Sequence, residues 1–312
     1  MSAPVDVVAA EARQPALSRP PLAIADSAGD SRVMNAMSVD VEDFFQVQAF
    51  AGQIDRKDWD SFPCRVERNV DLILALFSRH KVAATFFVLG WVAERYPSLV
   101  RRIIAEGHEL ASHGCNHYRV TEQSPSEFRA DVRRAKALLQ DIGGQPIKGY
   151  RAPSFSIGTS TVWALDVLAE EGYSYSSSIY PIAHDLYGMP DAPRFSYRPR
   201  GDQFVEIPMT TLRAFGRNFP CSGGGYFRLF PYVVSRWAMR QVNRSEGRSC
   251  VFYFHPWEVD PEQPRPSGAP LKSRVRHYIN LGRMEARLGR LLSDFRWDRM
   301  DRVFFDDDRP RC

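Results

Sequence analysis

Apolar positions in this chain fall into short runs separated by helical stripes, and their alternation predicts the order of the fold. Val33-Met34-Asn35-Ala36-Met37-Ser38-Val39 reads as a buried strand and runs into Asp40-Val41-Glu42-Asp43. Phe50 to Phe62 is an irregular connection. From Cys64 to His80, Val66, Val70, Ile73, Leu74 and Phe77 recur at helical spacing. Val82 to Gly90 is β-branched and aromatic, a buried strand. Pro97 opens a helix that ends at Gly107, and a short strand follows at His108–Ala111. Ser126 to Ile142 carries Phe128, Val132, Ala135 and Leu139 on one helical face, with Gly143-Gly144 as its stop. Strands are then expected at Ile147–Tyr150, Tyr173–Ile179, Phe204–Pro208 and Cys250–Phe254. Helices are expected at Thr159–Glu171, Pro231–Asn243 and, basic in character, Arg283–Phe295. A long loop spans His184–Pro199, a flexible turn Gly223–Phe227 and a proline-rich bend Pro261–Pro270. Strand and helix in such alternation predict an α/β fold with a parallel sheet.

Composition narrows the class. With 312 residues, 44% apolar and 25% charged, the chain resembles an ordinary globular protein with a large core. Its formal charge is +4, and Lys and Arg are scattered along the whole sequence, so no nucleic-acid groove is indicated. Anionic substrates or a membrane surface are left open. Cys64, Cys115, Cys221, Cys250 and Cys312 form no CxxC pair and read as reduced thiols. Residues 1–32, rich in Ala, Pro, Ser and Asp, read as a disordered leader without the apolar core of a signal peptide. No apolar run approaches the ~20 residues of a membrane span. The expected location is cytoplasmic, or at the inner face of a membrane.

Four strand ends carry unusual polar groups: Asp40/Glu42/Asp43, His113/His117, Arg151 and His255. Three acids crowded at a strand end repel one another unless a cation neutralises them; the plain alternative is a solvated acidic turn. His113 and His117 could likewise be loop histidines facing solvent. Cys115 between them reads as a small loop-filling residue rather than a third ligand. In βα barrels, however, the loops at the carboxyl ends of strands converge on one site. Two imidazoles and a carboxylate on a divalent ion leave a position open for water, a second carboxylate can take a proton, and a distant histidine can give one.

In this order the motifs resemble the NodB-type polysaccharide deacetylases, carbohydrate esterase family four, over roughly residues 34 to 258. Ser38-Val39-Asp40-Val41-Glu42-Asp43 is similar to the family's Thr-Phe-Asp-Asp motif, His113-Gly114-Cys115-Asn116-His117 to His-(Ser/Thr)-x-x-His, Arg151-Ala152-Pro153-Ser154 to Arg-x-Pro-Tyr, and Phe254-His255 to Leu-x-His. His255-Pro256-Trp257-Glu258-Val259-Asp260-Pro261 and Ser177-Ser178-Ile179-Tyr180-Pro181 further resemble the branch associated with exosortase and exopolysaccharide loci.

The resemblance implies a distorted (β/α) barrel at residues 33–260, with 261–312 as a C-terminal extension packed on it. It implies Asp40 as catalytic base, Arg151 as its partner and His255 as general acid. His113 and His117 match the imidazole ligands. The motif's second aspartate is Val41 here, so Glu42, ahead of Asp43, is the expected carboxylate ligand. The ion is expected to be zinc, with cobalt, nickel or manganese as alternatives. The backbone near Ser154 matches the oxyanion donor.

Two departures stand out. The fourth motif, Asp-x-x-Asp-Trp, gives way to Ser174-Tyr175-Ser176-Ser177-Ser178, which leaves Asp185 as the candidate to orient His255. Ser154 replaces the motif's tyrosine and reshapes the groove. Trp257, Trp163, Tyr180 and Tyr187 are candidates to stack on sugar rings, or else buried aromatics. The expected activity is removal of N-acetyl groups from amino sugars of a polysaccharide or its precursor. Alternatives are a formamide, a lipid-linked amino sugar, a cyclic amide, or a silent carbohydrate-binding member.

Overall fold

The computed structural model describes residues 33–199 and 203–305; the expected leader, residues 1–32, lies outside them. Eight parallel strands form one sheet: β1 (Met34–Val41), β2 (Thr85–Val88), β3 (Glu109–Ser112), β4 (Gly149–Tyr150), β5 (Tyr175–Ser176), β6 (Val205–Glu206), β9 (Val251–Phe254) and β10 (Arg296–Asp298). A separate antiparallel hairpin is made by β7 (Thr211–Ala214) and β8 (Arg217–Pro220).

β1 is the axis of the fold. Its last half pairs with β2 (Ser38 opposite Thr85 through Val41 opposite Val88). Its middle pairs with β9 (Ala36 opposite Val251 through Val39 opposite Phe254), and its first residues pair with β10. From β2 the ladder continues through β3, β4 and β5 to β6. Between β6 and β9 the described residues hold no strand pair, and Gly223 makes a single parallel bridge to Tyr253. The result is the expected distorted (β/α) barrel with helices outside.

Strand alternation divides the core in two. Met37, Val39, Val41, Phe86, Val88, Leu110, Phe252 and Phe254 face the helices, among them Val66–His80 and Pro125–Gly143. Ala36, Phe87, Ala111, Tyr175 and Tyr253 face the interior. Ser38, Asp40, Arg151 and His255 are in phase with that inner set. Gly149 is there of necessity: a Cβ would stand 2.2 Å from the Tyr175 ring.

Helix signals held where caps were present. Ser124 and Glu127 form a capping box at the start of Pro125–Gly143, and Gly144 ends it at φ 63°. Three expectations are corrected. Thr159–Glu171 is a short 3-10 turn at Thr159–Thr161 and a helix at Ala164–Glu170. Tyr173–Ile179 keeps only β5 as strand. Gly223–Phe227 is no flexible turn, because Gly224–Leu229 is helical. Residues beyond 260, expected as a packed extension, supply β10 to the sheet itself. No helix among the described residues is long and apolar enough to cross a membrane.

Candidate metal centre and active site

The inner phase of β1 delivers Asp40 and, after a tight turn closed by Glu42 N–H to Asp40 O (3.0 Å), Glu42. The two acids meet different partners. Asp40 Oδ1 accepts from Arg151 at 2.6 Å. Arg151 is fully buried, and its remaining donors go to Ser38 Oγ (2.9 Å), Ser177 O (3.0 Å) and Ser177 Oγ (3.0 Å). Its guanidinium lies 4.1 Å over the Phe87 ring, so the cation is locked in place.

Asp43 turns the other way. Its carboxylate accepts from Phe44 N–H (2.8 Å), Val66 N–H (2.8 Å), Arg65 N–H and the Cys64 thiol (3.1 Å). It caps the helix Val66–His80, whose free N–H groups it satisfies. Asp43, expected as the alternative ligand, is therefore not brought to the histidine pair.

The histidine loop leaves β3 through Gly114 at φ 75°, where a Cβ would stand 2.8 Å from Asp131 Oδ2. Cys115 is buried, its N–H on the Asp131 carboxylate and its thiol on Asp131 O (3.6 Å), as a loop-filling residue. His113 Nδ1 lies 2.8 Å from Arg151 O. A carbonyl only accepts, so Nδ1 carries the hydrogen and Nε2 presents a lone pair. Burial holds the His113 imidazolium down to about 4, so the ring is neutral near pH 7.

His117 Nε2 stands 2.8 Å from Glu42 Oε2, yet that buried oxygen has no aligned hydrogen bond. One ligand atom from each of Glu42, His113 and His117 falls within 4.8 Å of the others. Two lone-pair atoms in near contact without hydrogen-bond alignment are what a shared cation relieves, and the donor set suits a divalent ion. Burial alone would raise the Glu42 carboxyl, but His117, His255 and His113 pull it to about 2.

His255, beyond the end of β9, closes the constellation, its Nε2 3.6 Å from Glu42 Oε1 and 4.0 Å from Asp40 Oδ2. Its Nδ1 meets Glu258 Oε1 at 2.8 Å, and the same oxygen accepts the His255 backbone N–H (3.0 Å). Glu258 Oε2 accepts from the buried Arg228 Nε at 2.6 Å, while Arg228 also donates to His277 O and Ile279 O. Burial disfavours the His255 imidazolium, but Glu42, Glu258 and Asp40 together lift it to about 9.

Sequence reasoning missed Glu258 as the orienting carboxylate. The available signal was its place three residues after His255, where a short helical turn brings the two together. Asp185, expected in that role, instead binds Lys272 (2.6 Å) and Arg276 (3.3 Å) at the surface. The remaining expected contacts are mostly interior. Trp257 is buried, stacked between His255 (5.2 Å) and His277 (4.1 Å), with Nε1–H directed at Glu42 Oε1 (3.4 Å). Tyr180 is fully buried, Tyr187 stacks on it, and Trp163 packs on Phe128. Ser154 is half-buried in a turn at φ 55°. Beside His117 opens a cavity of about 420 Å³ whose lining includes Gln46, Gln48, Gln53, Arg56 and Trp59.

Comparison with known proteins adds a family to this geometry. Residues 58–176 match the family model described as polysaccharide deacetylase, and residues 177–305 match a domain of unknown function, DUF3473. His113, His117 and Arg151 fall in the first match and His255 and Glu258 in the second, whereas Asp40 and Glu42 precede both. A chitooligosaccharide deacetylase of Bradyrhizobium sp. (strain ANU 289) is 28% identical over 141 residues, covering 45% of this chain and 58% of that protein. A peptidoglycan-N-acetylglucosamine deacetylase of Bacillus cereus is 35% identical over 81 residues, 26% of this chain and 30% of that one. The chain thus spans less than two thirds of these relatives. Among solved structures, a Mycobacterium smegmatis protein provisionally described as a polysaccharide deacetylase superposes with TM-score 0.57, at 19% identity over 87% of this chain and 88% of its own. The Puue allantoinase superposes with TM-score 0.54, at 16% identity over 88% and 90%. These two likenesses are of fold.

Proposed function

We propose, from the match of residues 58–176 to the polysaccharide deacetylase model, that this chain is a member of that family and a metal-dependent hydrolase removing N-acetyl groups from amino sugars of a glycan or its precursor. The observation that carries this reading is the convergence of Glu42, His113 and His117 beside the Asp40–Arg151 pair and His255. Glu42, His113 and His117 would hold the ion, zinc by preference. Lewis-acid chemistry would be its contribution when bound, lowering the pKa of water and polarising the acyl oxygen.

The chain's own residues do the rest. Asp40 accepts the proton of the attacking water at Oδ2, because Oδ1 is engaged by Arg151. The locked Arg151 guanidinium holds the Asp40 carboxylate in place, aiming Oδ2 away from that contact. The backbone N–H near Ser154 is the candidate donor to the oxyanion that develops on the former carbonyl, since the Phe155 and Ser156 N–H groups are taken by Ala152 O and Pro153 O within the turn. His255 gives the Nε2 proton to the departing amine, while Glu258 holds Nδ1–H and so fixes the ring plane and tautomer. Trp257 contributes by stacking on that ring rather than on a sugar.

The test is metal analysis of the purified protein coupled to acetate release from chitooligosaccharides and peptidoglycan fragments. One divalent ion per chain and acetate from at least one glycan class are expected. A metal-loaded protein that releases acetate from none of them would overturn the reading.

A further inference from the structure

The segment between Glu206 and Glu246 contains no Asp or Glu, yet it holds Arg213, Arg217, Arg228, Arg236, Arg240 and Arg244. Averaged over the whole chain this excess disappears into a net charge of +4. Locally it is a long run of one sign, and it lies in the part matching the domain of unknown function. Arg228 and Arg236 are used inside the fold, on Glu258 and Asp294. Arg213, Arg217, Arg240 and Arg244 make no ion pair among the described residues.

The same segment carries apolar side chains that folding leaves in water. The hairpin β7–β8 packs beside the helix Tyr232–Ser245. Phe215 at the hairpin tip is 98% exposed, Val233 63% and Trp237 54%, with Phe219, Leu229 and Val234 exposed around them. Phe215 and Gly216 both have positive φ (49° and 71°). A two-residue hairpin turn of that kind ordinarily takes Asn or Asp before Gly, because a bulky side chain is disfavoured there. Neither turn geometry nor packing explains a phenylalanine at this position. A partner that covers it does.

We propose that the hairpin β7–β8 and the helix Tyr232–Ser245 dock the protein on an anionic membrane surface, Phe215 and Trp237 entering the acyl boundary and the unpaired arginines meeting lipid phosphates. Aromatic and aliphatic side chains ringed by arginine are the composition of interfacial binders, and no helix of the described residues is fit to span the bilayer. A second copy is a poorer occupant, since a two-fold contact would set this arginine-rich face against itself. Nucleic acid would engage the arginines but has no use for Leu229, Val233 and Val234. The helix Gly224–Leu229 joins this face to the catalytic end: at Gly224 a Cβ would stand 2.2 Å from the Glu258 carboxylate. That helix thus touches both this face and the carboxylate that holds His255. The inference is independent of the catalytic reading, because binding is measured without turnover.

The test is co-sedimentation of the full chain with vesicles of phosphatidylcholine alone or with about one-third phosphatidylglycerol. Roughly tenfold stronger partition into the anionic vesicles is expected, weakening as salt rises. Phe215→Asn with Trp237→Gln should remove most of that partition with no loss of thermal stability, since Asn-Gly suits the turn better than Phe-Gly. Arg213→Glu with Arg217→Glu should abolish the preference for anionic lipid. Equal, weak partition into both vesicles would overturn the proposal. So would tight binding to single-stranded RNA without vesicle binding, or a dimer that Phe215→Asn dissolves.

Discussion

Two clusters of buried carboxylates sit at opposite ends of the same parallel strands, and they behave in opposite ways. At the carboxyl ends, Asp40 and Glu42 face Arg151, His113, His117 and His255. At the amino ends, Glu109 accepts from neutral donors: Thr85 Oγ1 (2.5 Å), Tyr175 OH (2.9 Å) and Asp301 N–H (3.2 Å). Burial, with Asp301 nearby, lifts Glu109 to about 7, whereas the imidazoles of His117, His255 and His113 pull the equally buried Glu42 to about 2. Burial alone therefore does not make a reactive acid. What distinguishes the carboxyl end is that its charges have partners able to exchange protons or bind an ion. The amino end ties down the C-terminal helix Met300–Phe305, whose first N–H donates to Thr85 Oγ1 (2.8 Å).

The largest effect should come from breaking the ligand set. His113→Ala, His117→Ala and Glu42→Gln are expected to lose metal and activity together, measured by metal analysis beside acetate release. Retention of metal in both histidine variants would remove the site from these residues.

Next in size is Asp40→Asn, which should keep the metal and lower turnover by about 10²–10⁴-fold. Metal content is the readout that separates base from ligand.

Glu258→Gln should cost less, on the order of a hundredfold on amides, the low end of what a positioned acid supplies. Its effect should shrink on activated esters, whose leaving groups need no proton, and His255→Ala should show the same selectivity. Equal losses on amides and esters would instead assign the pair to binding.

The smallest effect belongs to the amino end. Glu109 is raised in the folded state, so its contribution to stability is full below about 4.5 and is lost as pH rises through about 7. Gln can accept from Thr85 and Asp301 at its amide oxygen and donate from its amide nitrogen to Tyr175 OH, without the charge. Glu109→Gln should therefore stabilise the protein at pH 8 by on the order of 2 kcal/mol, with no gain at pH 4 and unchanged turnover. Thermal melts at the two pH values check the sign.

Much of this was legible in the order of residues. The β1 run, the Val66–His80 stripe and the Ser126–Ile142 face with its Gly143-Gly144 stop are local signals, and each reappears within a few residues of its expected bounds. The period of two along β1 likewise anticipates that Asp40 and Glu42 share a direction, since a strand alone decides facing. The histidine spacing is equally local: a glycine at positive φ and a short loop suffice to turn both rings inward. β10 left no comparable trace, because three residues with one buried aromatic acquire strand character only by pairing with Met34–Ala36, some 260 positions away.

Tertiary structure alone decided between neighbours that look alike in sequence. Asp43 and Glu42 are adjacent acids, but the free N–H groups of a helix beginning at Val66 claim Asp43 and leave Glu42 to the imidazoles. Asp185 and Glu258 were both available to orient His255. A turn after β9 and the buried Arg228, arriving from the helix Gly224–Leu229, select Glu258. The sequence by itself determined which chemistry the chain carries and which strand ends present it, because residue type and period are local properties. Which carboxylate serves which role depends on the donors and cations that distant segments bring within 3 Å, and only the folded chain assembles those.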